Sequence, residues 1–185
     1  MKQKSIIIAS VTGLLVGCIL GVAGSVVPSD TFRNLAWATG SVGIIMAGAL
    51  LALFYFRNGY DIMAAGFVIL ALGEAVVFSS CATNPDNNIP SFGAGSFLWA
   101  LSIAALSLQK FFPLVVRVTG IIASVLFASV SISIFSGQQV NALSRPFPFL
   151  AYPFYAATLV GWAWTLLRKY SIFSPGFYRD PDKIY

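Results

Sequence analysis

Glu74 is the residue whose chemistry stands out, because it interrupts the apolar run Val68-Ile69-Leu70-Ala71-Leu72-Gly73-Glu74-Ala75-Val76-Val77-Phe78 with no other charge inside that segment. A charged side chain near the centre of a membrane helix costs roughly 2.5–3.5 kcal/mol on the insertion scale, so such residues face the protein interior and mark a pathway, a relay or a structural pair. A carboxyl there can carry a proton, accept hydrogen bonds or balance a cation, and its partners decide which.

Those partners can be sought by depth, since a helix rises about 1.5 Å per residue. Counted this way, Tyr152 and Tyr155 of the last apolar segment and Trp99 of the fourth fall at the level of Glu74, and Ser96 lies about one turn further out. A carboxyl with Tyr hydroxyls, an indole N–H and a Ser in reach makes either a satisfied polar cluster or a site for a ligand or proton. Arg117, in the fifth segment, is the candidate counter-charge. It sits within about 5 Å of the inner end of its segment, against roughly 18–20 Å for Glu74, so it is expected to snorkel to the interface instead of pairing.

Two further patterns bear on function. The run Pro146-Phe147-Pro148-Phe149-Leu150-Ala151-Tyr152-Pro153-Phe154-Tyr155 places a proline inside a helical segment, which removes a backbone hydrogen bond and predicts a kink or partial unwinding near Pro153. Interrupted helices line many transport sites, although an aromatic belt at the membrane interface accounts for the same residues. Gly13, Gly17 and Gly21 recur every four residues and form a stripe on one helix face, the pattern that lets two backbones approach closely in lipid. The stripe is expected to pack helices within the chain or to mediate self-association.

Other chemistry is excluded by what the chain lacks. It contains no histidine and two cysteines, Cys18 and Cys81, which lie in different segments and are not expected to pair. Asp30, Asp61, Asp86, Asp180 and Asp182 fall in breaks or in the tail, leaving Glu74 as the one deep acid. Paired-carboxylate and histidine-based catalysis are therefore not expected, and neither are a metal or a cofactor.

The elements that must position these residues are set by composition. Of 185 residues, 9% are charged and 58% hydrophobic, too few charges to keep the chain soluble in water, so the fold class predicted is an all-α polytopic bundle within a lipid bilayer. Six stretches suffice to cross a hydrocarbon core: about 5–27, 35–56, 62–81, 93–109, 114–136 and 147–168. The breaks between them, such as Pro28-Ser29-Asp30, Arg57-Asn58-Gly59-Tyr60-Asp61 and Asn84-Pro85-Asp86-Asn87-Asn88, are short and turn-forming, which leaves a single membrane domain with a short tail over 169–185.

Charge supplies the orientation. With both termini cytoplasmic, Lys2, Lys4, Arg57, Lys110, Arg117, Arg168, Lys169, Arg179 and Lys183 lie inside, and only Arg33 and Arg145 lie outside, the asymmetry of the positive-inside rule. The net charge of +5 is spread over these breaks and forms no patch for nucleic acid. Leu15-Val16-Gly17-Cys18 imitates a lipoprotein processing site, and cleavage near Gly24 is an alternative, but the apolar run continues to span length through Ile19, Leu20, Val22, Val26 and Val27. We expect it to be retained as the first span.

These features predict a multi-pass protein of the plasma membrane, with a bacterial inner membrane fitting the compact chain and short loops. The function expected first is a carrier or channel for a small solute or proton, using Glu74. A non-catalytic subunit or assembly factor of a larger membrane complex, or a homo-oligomer built on the glycine stripe, comes second. A lipid- or small-ligand-binding membrane protein is the third reading.

Overall fold

A computed structural model describes residues 3–82 and 89–170, apart from the side chains of 80–82. Cys81's side chain, the 83–88 break and the tail beyond Tyr170 lie outside the described residues. Six helices follow one another: α1 Gln3–Val26, α2 Asp30–Arg57, α3 Asp61–Ala82, α4 Ile89–Ser107, α5 Leu114–Phe135 and α6 Phe147–Lys169. Each is long and apolar enough to cross a membrane. Large apolar side chains stand exposed on every one of them, Ile19, Val42, Leu72, Leu101, Val125 and Trp164 among them, a surface suited to lipid and costly in water.

The apolar runs locate the spans, whereas helix ends follow capping. α2 begins five residues before the apolar run does, since Asp30 occupies its first turn, where a negative charge meets the helix dipole, and pairs with Arg33 one turn on. α4 likewise begins at Ile89, with Pro90 in its first turn, where a missing N–H costs nothing. The turn after α2 is closed by Gly59 at φ 75°, a left-handed conformation that suits glycine.

Of the kink or partial unwinding expected near Pro153, the unwinding does not occur. α6 is helical from Phe147 to Lys169 with the proline inside it. The ring's fixed φ is compatible with a helix, so the loss is confined to one hydrogen bond, near the beginning of the helix.

Each helix packs on its neighbours in sequence, and α1 closes the ring against α6. Register shows the helices alternating in direction: Gly13 faces Gly43 and Gly17 faces Gly40, Ser102 reaches Gly66, and Ser131 reaches Gly93. One end of the bundle, the terminal end, carries the start of α1, the end of α6 and the α2–α3 and α4–α5 turns. The opposite, far end carries the other three connections.

Two kinds of seam hold the ring. Between α1 and α2 the backbones touch: a Cβ at Gly13 would overlap the Gly43 carbonyl, and one at Gly17 would overlap Ile44. Between α3, α4 and α5 serine hydroxyls donate to carbonyls of the next helix, Ser102 to Gly66 at 2.8 Å, Ser124 to Ala100 at 2.8 Å and Ser131 to Gly93 at 2.9 Å. In lipid, where side-chain hydrophobicity gives helices little reason to associate, close packing and such bonds supply the cohesion.

The terminal half is filled by aromatic rings. Tyr55 stacks on Phe67 at 5.6 Å with the planes 2° apart, Phe67 meets Trp162 edge-on, and Phe54, Phe111 and Phe112 extend the cluster. Tyr170, just past α6, packs on Phe54. Burial, and then Tyr60 beside it, push the Tyr170 hydroxyl up to about 12, so it remains neutral. Arg117 also lies in this half, where its Nε donates to the Ser107 carbonyl at the end of α4, as a snorkelling side chain would.

Candidate functional site

The far half of the ring is not filled. Glu74 projects from α3 into the interior and is 4% exposed. It borders a cavity of about 90 Å³ lined from α1, α2, α3, α4 and α6. That is room for several waters or a small organic group.

Its carboxyl is half satisfied. Ser41 of α2 donates to Oε1 at 2.6 Å. Oε2 has no hydrogen-bond partner. Trp99 Nε1 from α4 and Tyr155 Oη from α6 come within interaction range of the carboxyl, yet both are also buried without a hydrogen bond. Three polar atoms without a hydrogen bond thus lie close together on residues from three helices that line the cavity. Each such atom costs about 1–3 kcal/mol when buried unsatisfied, so the cluster is expensive until something completes it.

The rings around the carboxyl are braced. Trp99 stacks on Tyr155 at 5.3 Å with the planes 30° apart, and Phe127 of α5 packs edge-on behind Trp99, Tyr155 and Tyr152. Tyr152 borders the cavity, but its hydroxyl donates to the Ala142 carbonyl at 3.0 Å, tying the α5–α6 connection to the cavity rim. Trp37 of α2 closes another side and donates to the Gly21 carbonyl at 3.2 Å. Cys18 of α1 lies half-buried on the same lining, its thiol 3.8 Å from the Ala156 carbonyl.

The depth count therefore brings Glu74, Trp99, Tyr152 and Tyr155 to one cavity. Ser96 is a correction: it is fully buried and does not border the cavity, and its hydroxyl has no hydrogen bond. One turn along α4 from Trp99 changes the direction of a side chain as well as its depth, and depth alone cannot register that. Gly21 is a second correction. Gly13 and Gly17 pack against α2, but a Cβ at Gly21 would meet nothing within 4 Å, because this part of the stripe borders the cavity.

Ser41 and Trp37 are the site residues that sequence reasoning misses. Ser41 lies about 9 Å into the second apolar run and Glu74 about 10 Å into the third from the same side, so the count that flagged Tyr155 applies to it equally. It was hidden between Gly40 and Gly43, where a serine reads as one more small packing residue. Among the described residues no three His, Cys, Asp or Glu side chains gather, so no ligand set for a metal can be assigned.

Compared with known proteins, the chain matches no family model, no curated protein and no solved structure.

Proposed function

We propose that this protein is a small multi-pass carrier of the plasma membrane, with both termini cytoplasmic, that takes a small solute or a proton into the Glu74 cavity from the outer side. The observation that carries this reading is the cluster of Glu74 Oε2, Trp99 Nε1 and Tyr155 Oη, none with a hydrogen bond, on residues that line one cavity between helices. A purely structural carboxyl would be expected to have its acceptors filled, as nearly all buried polar groups do. The nine-to-two charge asymmetry favours the orientation, with the terminal end inside and the cavity in the outer half. In a carrier cycle Glu74 would alternate between a solute- or proton-bound state and a free one, and the aromatic cluster of the terminal half would be the inner barrier that has to yield.

The density of that cluster favours a second reading, in which the same cavity binds a small ligand or lipid fragment without passing it on. Tyr55, Phe67 and Trp162 are all fully buried there. Proteoliposomes holding a pH-sensitive dye separate the two. The carrier reading expects proton or solute-coupled flux that Glu74→Gln abolishes. Ligand binding with no flux in either protein would move the assignment to the second reading, and flux that survives Glu74→Gln would refute a role for the carboxyl.

A further inference from the structure

The chemistry of the cavity wall narrows what it can hold. Among the described residues its lining contains one acid, Glu74, and no Lys or Arg. An anionic guest would meet a carboxyl and no counter-charge, so a cation is the charged guest that fits. Small inorganic cations are poorly served, because they require several oxygen ligands to replace their water and the carboxyl offers one free oxygen. A primary ammonium carries three N–H donors and meets the same shortage.

What the wall offers in quantity is aromatic surface. Trp37, Phe78, Phe92, Trp99, Tyr152 and Tyr155 come from four different helices and surround the carboxyl side of the cavity. The Trp37 indole and the Tyr152 hydroxyl already donate to backbone carbonyls, so their polar ends are occupied within the protein. The two donors without a hydrogen bond, Trp99 Nε1 and Tyr155 Oη, sit beside Glu74. A carboxylate enclosed by aromatic rings suits a cation whose charge is spread over alkyl groups and whose hydration is weak.

We propose, building on the carrier or binding reading of this site, that the Glu74 cavity takes a small organic ammonium ion of tertiary or quaternary type, with Glu74 as counter-ion and the rings as its box. The ion's charge rests against Glu74 Oε2, and its alkyl groups replace water against Trp99 and Tyr155. No bond is made or broken.

Cys18 supplies a reporter because it lies on the lining. In a Cys81→Ser background, full-length protein in nanodiscs is alkylated with N-ethylmaleimide while choline, benzyltrimethylammonium or the neutral choline isostere 3,3-dimethylbutan-1-ol is titrated in. The cations should protect Cys18 at concentrations about ten- to thirty-fold below the neutral alcohol, the range of a desolvated cation–π and charge contact. Glu74→Gln should erase that preference. Glu74→Asp, which keeps the charge and withdraws it by one methylene, should retain the preference at weaker affinity, and it serves as the decisive variant if Glu74→Gln does not fold. Equal protection by cation and alcohol, unchanged in Glu74→Gln, would overturn the ammonium assignment while leaving the cavity a ligand site. No protection by any of the three would overturn both.

Discussion

The two halves of this bundle are built from similar residues and do opposite things with them. In the terminal half, Tyr55, Phe67, Phe112 and Trp162 pack ring against ring, and there too the Tyr55 hydroxyl and the Trp162 indole N–H are buried without a hydrogen bond. In the far half, Trp37, Trp99, Tyr152 and Tyr155 stand around a space, and Trp99 Nε1 and Tyr155 Oη have no hydrogen bond. The first arrangement spends its aromatic surface on cohesion. The second leaves it facing a cavity, and the proposed function rests on that difference.

The glycine stripe of α1 crosses from one regime to the other and offers the sharpest way to break the comparison. Gly13→Leu should cost about 3 kcal/mol, the upper end for overpacking, because its neighbour is the Gly43 backbone, which cannot rotate away. Thermal unfolding in nanodiscs would measure this, and an unchanged midpoint would mean that α1 and α2 are not in contact there. Phe67→Ala should cost about 2 kcal/mol. Lipid is as apolar as the core, so the transfer contribution largely cancels and the loss is that of a void of about 100 Å³ at about 24 cal/mol per Å³.

Substitutions in the far half should behave differently. Glu74→Gln should change stability by less than about 1 kcal/mol, in either direction, since the amide keeps the shape and removes a buried charge site that is only half satisfied. A loss as large as that of Phe67→Ala would make Glu74 a structural group and dissolve the contrast between the halves. Gly21→Ala should have the smallest effect on stability, from zero to a gain of about 1 kcal/mol, since Ala favours a helix and the added methyl meets nothing within 4 Å. The same methyl should nevertheless weaken ligand binding, because it occupies the cavity.

The fold was largely legible in the sequence, since length, apolarity and turn residues speak directly to how many helices a bilayer can hold. The early starts of α2 and α4 were not, because a helix runs on into the polar interface for as long as capping supports it, as Asp30 and Pro90 do here. At the site, depth along a helix was readable and direction around it was not. Depth therefore places Trp99, Tyr155 and Ser41 at the level of Glu74, but it does not show that Ser96 turns away from the cavity. Gly21 makes the same point, because a four-residue repeat shows which face a residue shares but not whether a neighbour covers it.

The most direct test of the Glu74 cavity as a ligand site is native mass spectrometry of the protein released gently from its own membrane. The wild-type protein, alone or as a homo-oligomer, should carry a small bound mass that Glu74→Gln loses and Phe67→Ala retains. A protein that emerges empty, or a bound mass that survives Glu74→Gln, would contradict the ligand-site assignment. Emergence in fixed ratio with another protein chain and no small molecule would assign the far half to assembly instead.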